Sequence, residues 1–108
     1  MRKISSVTIL DSATTTETGA SHNFWGKYFT FHATGSTSSG AGSATILIEV
    51  SNDNSNFITM ATISLTLSTS VSSDGFASQA PWRYQRARVS AISGTGASVS
   101  VTVGSLSA

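Results

Sequence analysis

The sequence has no cysteine and a single proline. Without cysteine there is no disulfide framework and no thiolate metal site, while the cellular compartment is left open. Charge is the next scarcity. Asp, Glu, Lys and Arg make up 10% of the chain, against roughly a quarter in typical domains. A formal net charge of +1 gives no bulk electrostatic reason to expect a nucleic-acid partner. It also leaves little repulsion between copies, so self-association or packing on a larger surface costs little. No apolar run approaches the roughly 18 residues of a membrane-spanning helix, so no membrane partner is expected. Met1, Arg2 and Lys3 are not followed by an apolar run of signal-peptide length. The expectation is a protein made in the cytoplasm that stays soluble or joins an assembly. Long runs of the helix-favouring residues Ala, Leu, Glu and Lys are missing as well.

What is abundant is hydroxyl. Ser and Thr make up about a third of the 108 residues and must supply most of the polar surface. Thr, Val, Ile and the aromatics suit strands. Apolar-polar alternation between short turns predicts about six to eight strands, and hence an all-β fold: a single-domain antiparallel β-sandwich or jelly roll over residues 1–108.

The pattern is clearest over residues 83–103. Ala87, Val89 and Ala91 alternate with Arg86, Arg88 and Ser90; Val99, Val101 and Val103 alternate with Ser98, Ser100 and Thr102. A period of two turns the apolar set inward and the arginines and hydroxyls outward. Gly94-Thr95-Gly96 supplies the backbone freedom for a reversal, so the stretch reads as a hairpin. Residues 44–50 (ATILIEV) and 57–67 (FITMATISLTL) read as a second hairpin. Its turn is SNDNSN at 51–56, and residues 57–61, apolar on both parities, suggest a bulge or a doubly buried segment. Residues 4–10 form a first strand, and 11–19 form a loop or a hydroxyl-rich edge strand. Residues 23–34 form an aromatic strand in which Trp25, Phe29 and Phe31 share one parity and Phe24 and Tyr28 the other. The low-complexity run 35–43 (GSTSSGAGS) reads as a flexible surface loop, and no Gly-Lys-Ser/Thr follows to make it a phosphate loop. Asp74-Gly75 reads as a turn, with Phe76 returning to the core, and Pro81 precedes a strand or sits on an edge.

Chemistry is sparse. His22 and His32 are the only imidazoles, and Asp11, Glu17, Glu49, Asp53 and Asp74 the only carboxylates. No metalloprotease spacing and no nucleophile elbow is present, so no catalytic residue, cofactor or metal site is expected. A hydrolase would need His22 or His32 in a cleft with a carboxylate. A calcium loop at 51–56 would have Asp53 as its one internal carboxylate, with Glu49 nearby, where calcium cages usually use more. Three binding features remain. Arg83, Arg86 and Arg88 offer guanidiniums for bidentate bonds to a neighbour's carboxylates. Alternatively they pair with Glu49 or Asp53 across the sheet, or stay solvated. Trp25, Trp82 and Tyr84 offer an interface anchor, a sugar platform for a carbohydrate-binding module, or packing. The hydroxyl-rich faces suit wet packing against another protein, or solubility alone.

The segment SNDNSNF at 51–57, followed by PWRYQRARVSAISGTGASVSVTV at 81–103, resembles a pattern in small structural proteins of tailed bacteriophages. The matching positions are Asn52, Asp53, Phe57, Tyr84, Arg86, Arg88 and Gly94. Phe57 departs from the pattern, in which a Trp is common there. The resemblance spans roughly the second half to two thirds of the chain, and its motifs are structural. It implies a non-enzymatic virion protein located in the virion, homo-oligomeric, that binds the major capsid protein or other virion proteins. Capsid decoration (cement) proteins and small tail or neck components both fit.

Overall fold

The two-residue alternation resolves into two antiparallel sheets in a computed structural model, which describes residues 3–23, 28–78 and 82–107. The strands are β1 (Lys3–Ala13), β2 (Glu17–Thr18), β3 (His22–Asn23), β4 (Tyr28–Ser36), β5 (Ser39–Ser51), β6 (Ile58–Leu67), β7 (Ser72–Ser78), β8 (Tyr84–Thr95) and β9 (Ser98–Ser107). One sheet runs β1-β9-β4-β7. The other runs β2-β8-β5-β6, with β3 also paired to β8. β2 and β3 lie along the same neighbour and act as one interrupted strand. Every connection then crosses between the sheets except the β5–β6 hairpin. Two four-stranded sheets wound in this way are a jelly roll.

Inward faces close one core. Phe29, Phe31 and Ala33 from β4 and Val99, Val101 and Val103 from β9 pack with Ile46, Ile48, Ile63, Leu65, Leu67, Ala87 and Val89 from the other sheet. Phe76 stacks on Phe31 with ring centroids 5.0 Å apart. The residues between point outward: Thr62, Ser64 and Thr66 are exposed while Ile63, Leu65 and Leu67 are buried.

Four local expectations are corrected. The first is the hairpin of 83–103: β8 and β9 do not pair with each other. β8 takes its ladder partners from β5, β2 and β3, and β9 from β1 and β4. Each strand has one apolar face, and two such faces bury each other across the sandwich rather than side by side. The intervening turn is therefore an arch between sheets. Its glycines do adopt positive φ, 118° at Gly94 and 64° at Gly96, a region that costs glycine little.

Second, Ala91 is exposed. The β5–β8 register steps from Thr45↔Ala91 to Ile46↔Val89, so Ser90 bulges and inverts the faces beyond it. Ile92 turns toward the core instead. Third, residues 35–43 are not a loop. β4 runs to Ser36 and β5 starts at Ser39, with Thr37 buried between them and its Oγ1 donating to the Gly40 carbonyl at 2.6 Å. This crossing lies beside the β8–β9 arch, where Ser38 N–H donates to Thr95 O at 3.0 Å, and beside the β6–β7 crossing, where Thr37 N–H donates to Ser68 O at 2.8 Å. Fourth, Asp74 and Gly75 lie within β7, opposite Ala33 and His32. The expected bulge in 57–61 is present, between Thr59 and Ala61. Phe24, Trp25 and Lys27 lie outside the described residues.

The packed arches make Gly42 a test of this architecture. A Cβ there would meet the Ser93 carbonyl oxygen and lie 3.1 Å from Gly94 Cα. Gly42→Ala is expected to lower stability by about 1–3 kcal/mol, whereas Ser39→Ala on the exposed surface stays within about 0.5 kcal/mol. Urea unfolding of both variants checks this, since a mobile loop at 35–43 would leave both neutral.

Candidate partner-binding face

The outward positions of β8 and β5 form the one concentration of charge on the described surface. Tyr84, Arg86 and Arg88 alternate with the buried Gln85, Ala87 and Val89, so the three share the outer face of their sheet. Pairing with β5 sets Glu49 directly opposite Arg86, and Leu47 opposite Arg88. The Glu49 carboxylate accepts from both guanidiniums: Arg86 Nε at 2.8 Å to Oε1 and Arg88 Nε at 3.0 Å to Oε2. The Glu49 side chain is only 9% exposed, against 28% for Arg86 and 39% for Arg88. Burial opposes its ionisation. The hydrogen bonds and positive charges of Arg86 and Arg88 outweigh that effect and hold its pKa below the ordinary value. Two guanidiniums share one carboxylate, so the trio keeps one positive charge. Both arginines bond through Nε, and among the described residues their terminal amines make no further hydrogen bond.

Phe57, just before β6, completes the patch. The Arg86 guanidinium carbon lies 3.7 Å from its ring centroid, close enough for a cation–π contact. The position where the phage pattern favours Trp is thus the platform under an arginine. Arg83 is exposed, 5.4 Å from the Tyr84 ring centroid, and Trp82 is half-buried just before the strand. Trp25 lies outside the described residues. Of the predicted partner-binding residues, the structure therefore brings Tyr84, Arg86 and Arg88 onto one face and places Arg83 and Trp82 at its end.

The turn at 51–56 is built around Asp53. Its Oδ1 accepts from Asn56 N–H at 2.8 Å, Ser55 N–H at 2.9 Å and Ser51 Oγ at 2.7 Å, and its Oδ2 accepts from Asn56 Nδ2 at 2.8 Å. The Asn56 backbone N–H, the Asn56 amide, the Ser51 hydroxyl and the Ser55 N–H hold the Asp53 pKa well below the carboxylate range. Asn54 takes φ 60° at the tip, a region Asn tolerates. Both carboxylates of the calcium alternative are thus engaged by the protein's own donors. The turn also ties down its surroundings: Ser21 Oγ donates to Asn54 Oδ1 at 2.6 Å, and Arg83 N–H donates to Asn52 Oδ1 at 3.3 Å. The imidazoles sit on different sheets, His32 exposed on β4 and His22 half-buried on β3.

Sequence reasoning offered Glu49 only as one of two possible partners of the arginines, and it missed Gln85, which lies behind the face on the inner side. Glu49 as the hub depends on strand register, which alone sets it opposite Arg86. Gln85 is 1% exposed on the inward side, its Nε2 donating to Trp82 O at 3.5 Å and its Oε1 without a partner among the described residues. The arginine alternation marks position 85 as inward, but nothing in the sequence signals a buried amide.

Neither a protein-family model nor a curated protein sequence matches the chain. Solved structures do match its fold. The crystal structure of the SPBc2 prophage-derived protein YomS superposes with a TM-score of 0.64 at 17% identity, over 99% of this chain and 96% of that one. The PBSX exported protein XepA superposes with a TM-score of 0.56 at 15% identity, over all of this chain but only 37% of its own.

The Glu49 trio and the Asp53 turn predict the response to acid. Both carboxylates are depressed in the folded state, so their stabilisation is present above the unfolded carboxylate pKa and is lost as pH falls through the folded values. Glu49→Gln leaves two neighbouring guanidiniums without their counter-charge and is expected to cost about 2 kcal/mol at neutral pH. That variant should also lose less stability than the natural chain as the solution is acidified. Urea midpoints measured from neutral pH into acid check both effects.

Proposed function

We propose that this protein is a structural component of a tailed-bacteriophage virion, a decoration protein that lies on the capsid and stabilises the lattice of the major capsid protein. The observation that carries the reading is the outer face of the β8–β5 sheet. Arg86 and Arg88 are held there by Glu49 on the same face as Tyr84, with Arg86 over Phe57 and no further hydrogen bond from either guanidinium among the described residues. Such preorganised guanidiniums recognise carboxylates of a neighbouring protein. The Cα envelope of 43 × 32 × 17 Å gives the molecule broad faces and little depth, a shape suited to lying on a shell. Two further observations support a phage context. Residues 51–57 and 81–103 resemble phage structural proteins, and the fold is shared with the prophage-derived protein YomS and with the PBSX exported protein XepA. The role assigned is structural and needs no catalysis or cofactor, and the site of action is the virion.

Co-sedimentation with empty capsids, and separately with purified tails and necks, tests the reading. Capsid binding at a fixed ratio to the lattice is the expected result. Arg88→Glu should weaken it by about tenfold or more, because it turns an attractive contact into a repulsive one. Binding to tails or necks alone would move the protein to those parts of the particle. A glycan-array signal without any particle binding would favour the sugar-binding alternative built on Trp25, Trp82 and Tyr84. Failure to bind capsids, tails and necks alike rejects the virion role.

A further inference from the structure

The four sheet edges are protected to different degrees. β1 is broken by two register shifts, holds Ser12 at φ 51° and carries Asp11. β2 and β3 are two residues long each, and β2 carries Glu17. β7 carries Asp74 and Gly75 at its centre. Charges, bulges and brevity are the usual means of keeping an edge strand from pairing with another chain. β6 lacks them over most of its length. After the shift beyond Thr59, residues 61–67 pair with β5 without interruption. No charged residue occurs between Asp53 and Asp74. Among the described residues no strand pairs with the outer side of β6.

An edge strand directs alternate N–H and C=O groups away from its sheet. The Thr66 carbonyl accepts from Ser72 Oγ at 2.8 Å, so the open row is residues 61–65. Thr62 and Ser64 are exposed along it. Ile58, 55% exposed, and Val71, 71% exposed, lie beyond its opposite ends and are two of the few large apolar side chains left in solvent.

We infer that the outer edge of β6 pairs antiparallel with the β6 edge of a second copy of this chain, joining two sheets into one across a two-fold axis. The edge is complementary to itself. Hydroxyls meet hydroxyls on the outer face, a favourable cross-strand combination. No like charges are brought together. The antiparallel sense carries the Ile58 end of one copy toward the Val71 end of the other, so both exposed apolar side chains gain cover. An acidic or basic partner segment finds no counter-charge on this edge. A two-fold contact of this kind closes on itself and stops at the dimer. The pairing concerns the molecule alone and holds or fails independently of the virion role.

Sedimentation equilibrium of the full chain over a range of concentrations tests it, with circular dichroism confirming the fold of each variant. The natural chain is expected to form a dimer. Ser64→Lys brings two like charges to neighbouring diagonal positions across the axis and should weaken that dimer by at least about tenfold. Ser64→Glu should do the same alone, and mixing the two variants should restore dimers through opposite charges. A natural chain that stays monomeric throughout overturns the inference. So does a dimer that Ser64→Lys leaves unchanged, or a loss that mixing with Ser64→Glu does not repair.

Discussion

Each long strand of this protein has an apolar face and a hydroxyl or charged face, and each apolar face must find a counterpart away from water. Side-by-side pairing within a sheet cannot provide one, because neighbouring strands turn the same face to the same side. A second sheet laid over the first can. The chain therefore changes sheet at nearly every connection, and three of the crossings, β4–β5, β6–β7 and β8–β9, gather at one end of the sandwich. The packing there is close enough that a Cβ on Gly42 would lie 3.1 Å from Gly94 Cα, and one on Gly94 2.9 Å from Gly42 Cα. The opposite end is fixed by the Asp53 turn, which binds its own backbone and reaches Ser21 and Arg83.

The charged side chains of the two central strands of the β8–β5 sheet lie on its outer face. The chain has 6 basic and 5 acidic residues in all, and three of them meet in the Arg86–Glu49–Arg88 trio. The carboxylate orients both guanidiniums while neutralising only one. Holding long side chains in place beforehand reduces the ordering cost that a partner contact would otherwise carry. Phe57 adds a rigid surface beneath Arg86. In the structural role proposed for the protein, this face is the one that would contact another surface.

Much of this was legible in the sequence. The inward parity of Val99, Val101 and Val103 and the outward parity of Arg86 and Arg88 followed from alternation alone, and the β5–β6 hairpin with its bulge followed from ATILIEV and FITMATISLTL. Connectivity did not. A reversal such as Gly94-Thr95-Gly96 reads the same whether the strands beside it pair or face each other across a core. Nor did the strand character of residues 35–43, since Gly and Ser there mark close packing as readily as mobility. The Ser90 bulge left no signal, because its only consequence is to exchange Ala91 for Ile92 on the inner face. The arginine pair was visible as a pair, and Glu49 was one of two candidate partners. Strand register chose it over Asp53, whose oxygens are occupied by its own turn.

The central claim is that the Tyr84–Arg86–Arg88 face meets another virion protein. A density map of the intact phage particle, at a resolution that traces side chains, tests this most directly. The account predicts copies of the jelly roll lying flat on the shell, with Arg86 and Arg88 within hydrogen-bonding reach of carboxylates on the capsid lattice. Copies that turn this face to solvent, or particles without the protein, would contradict it.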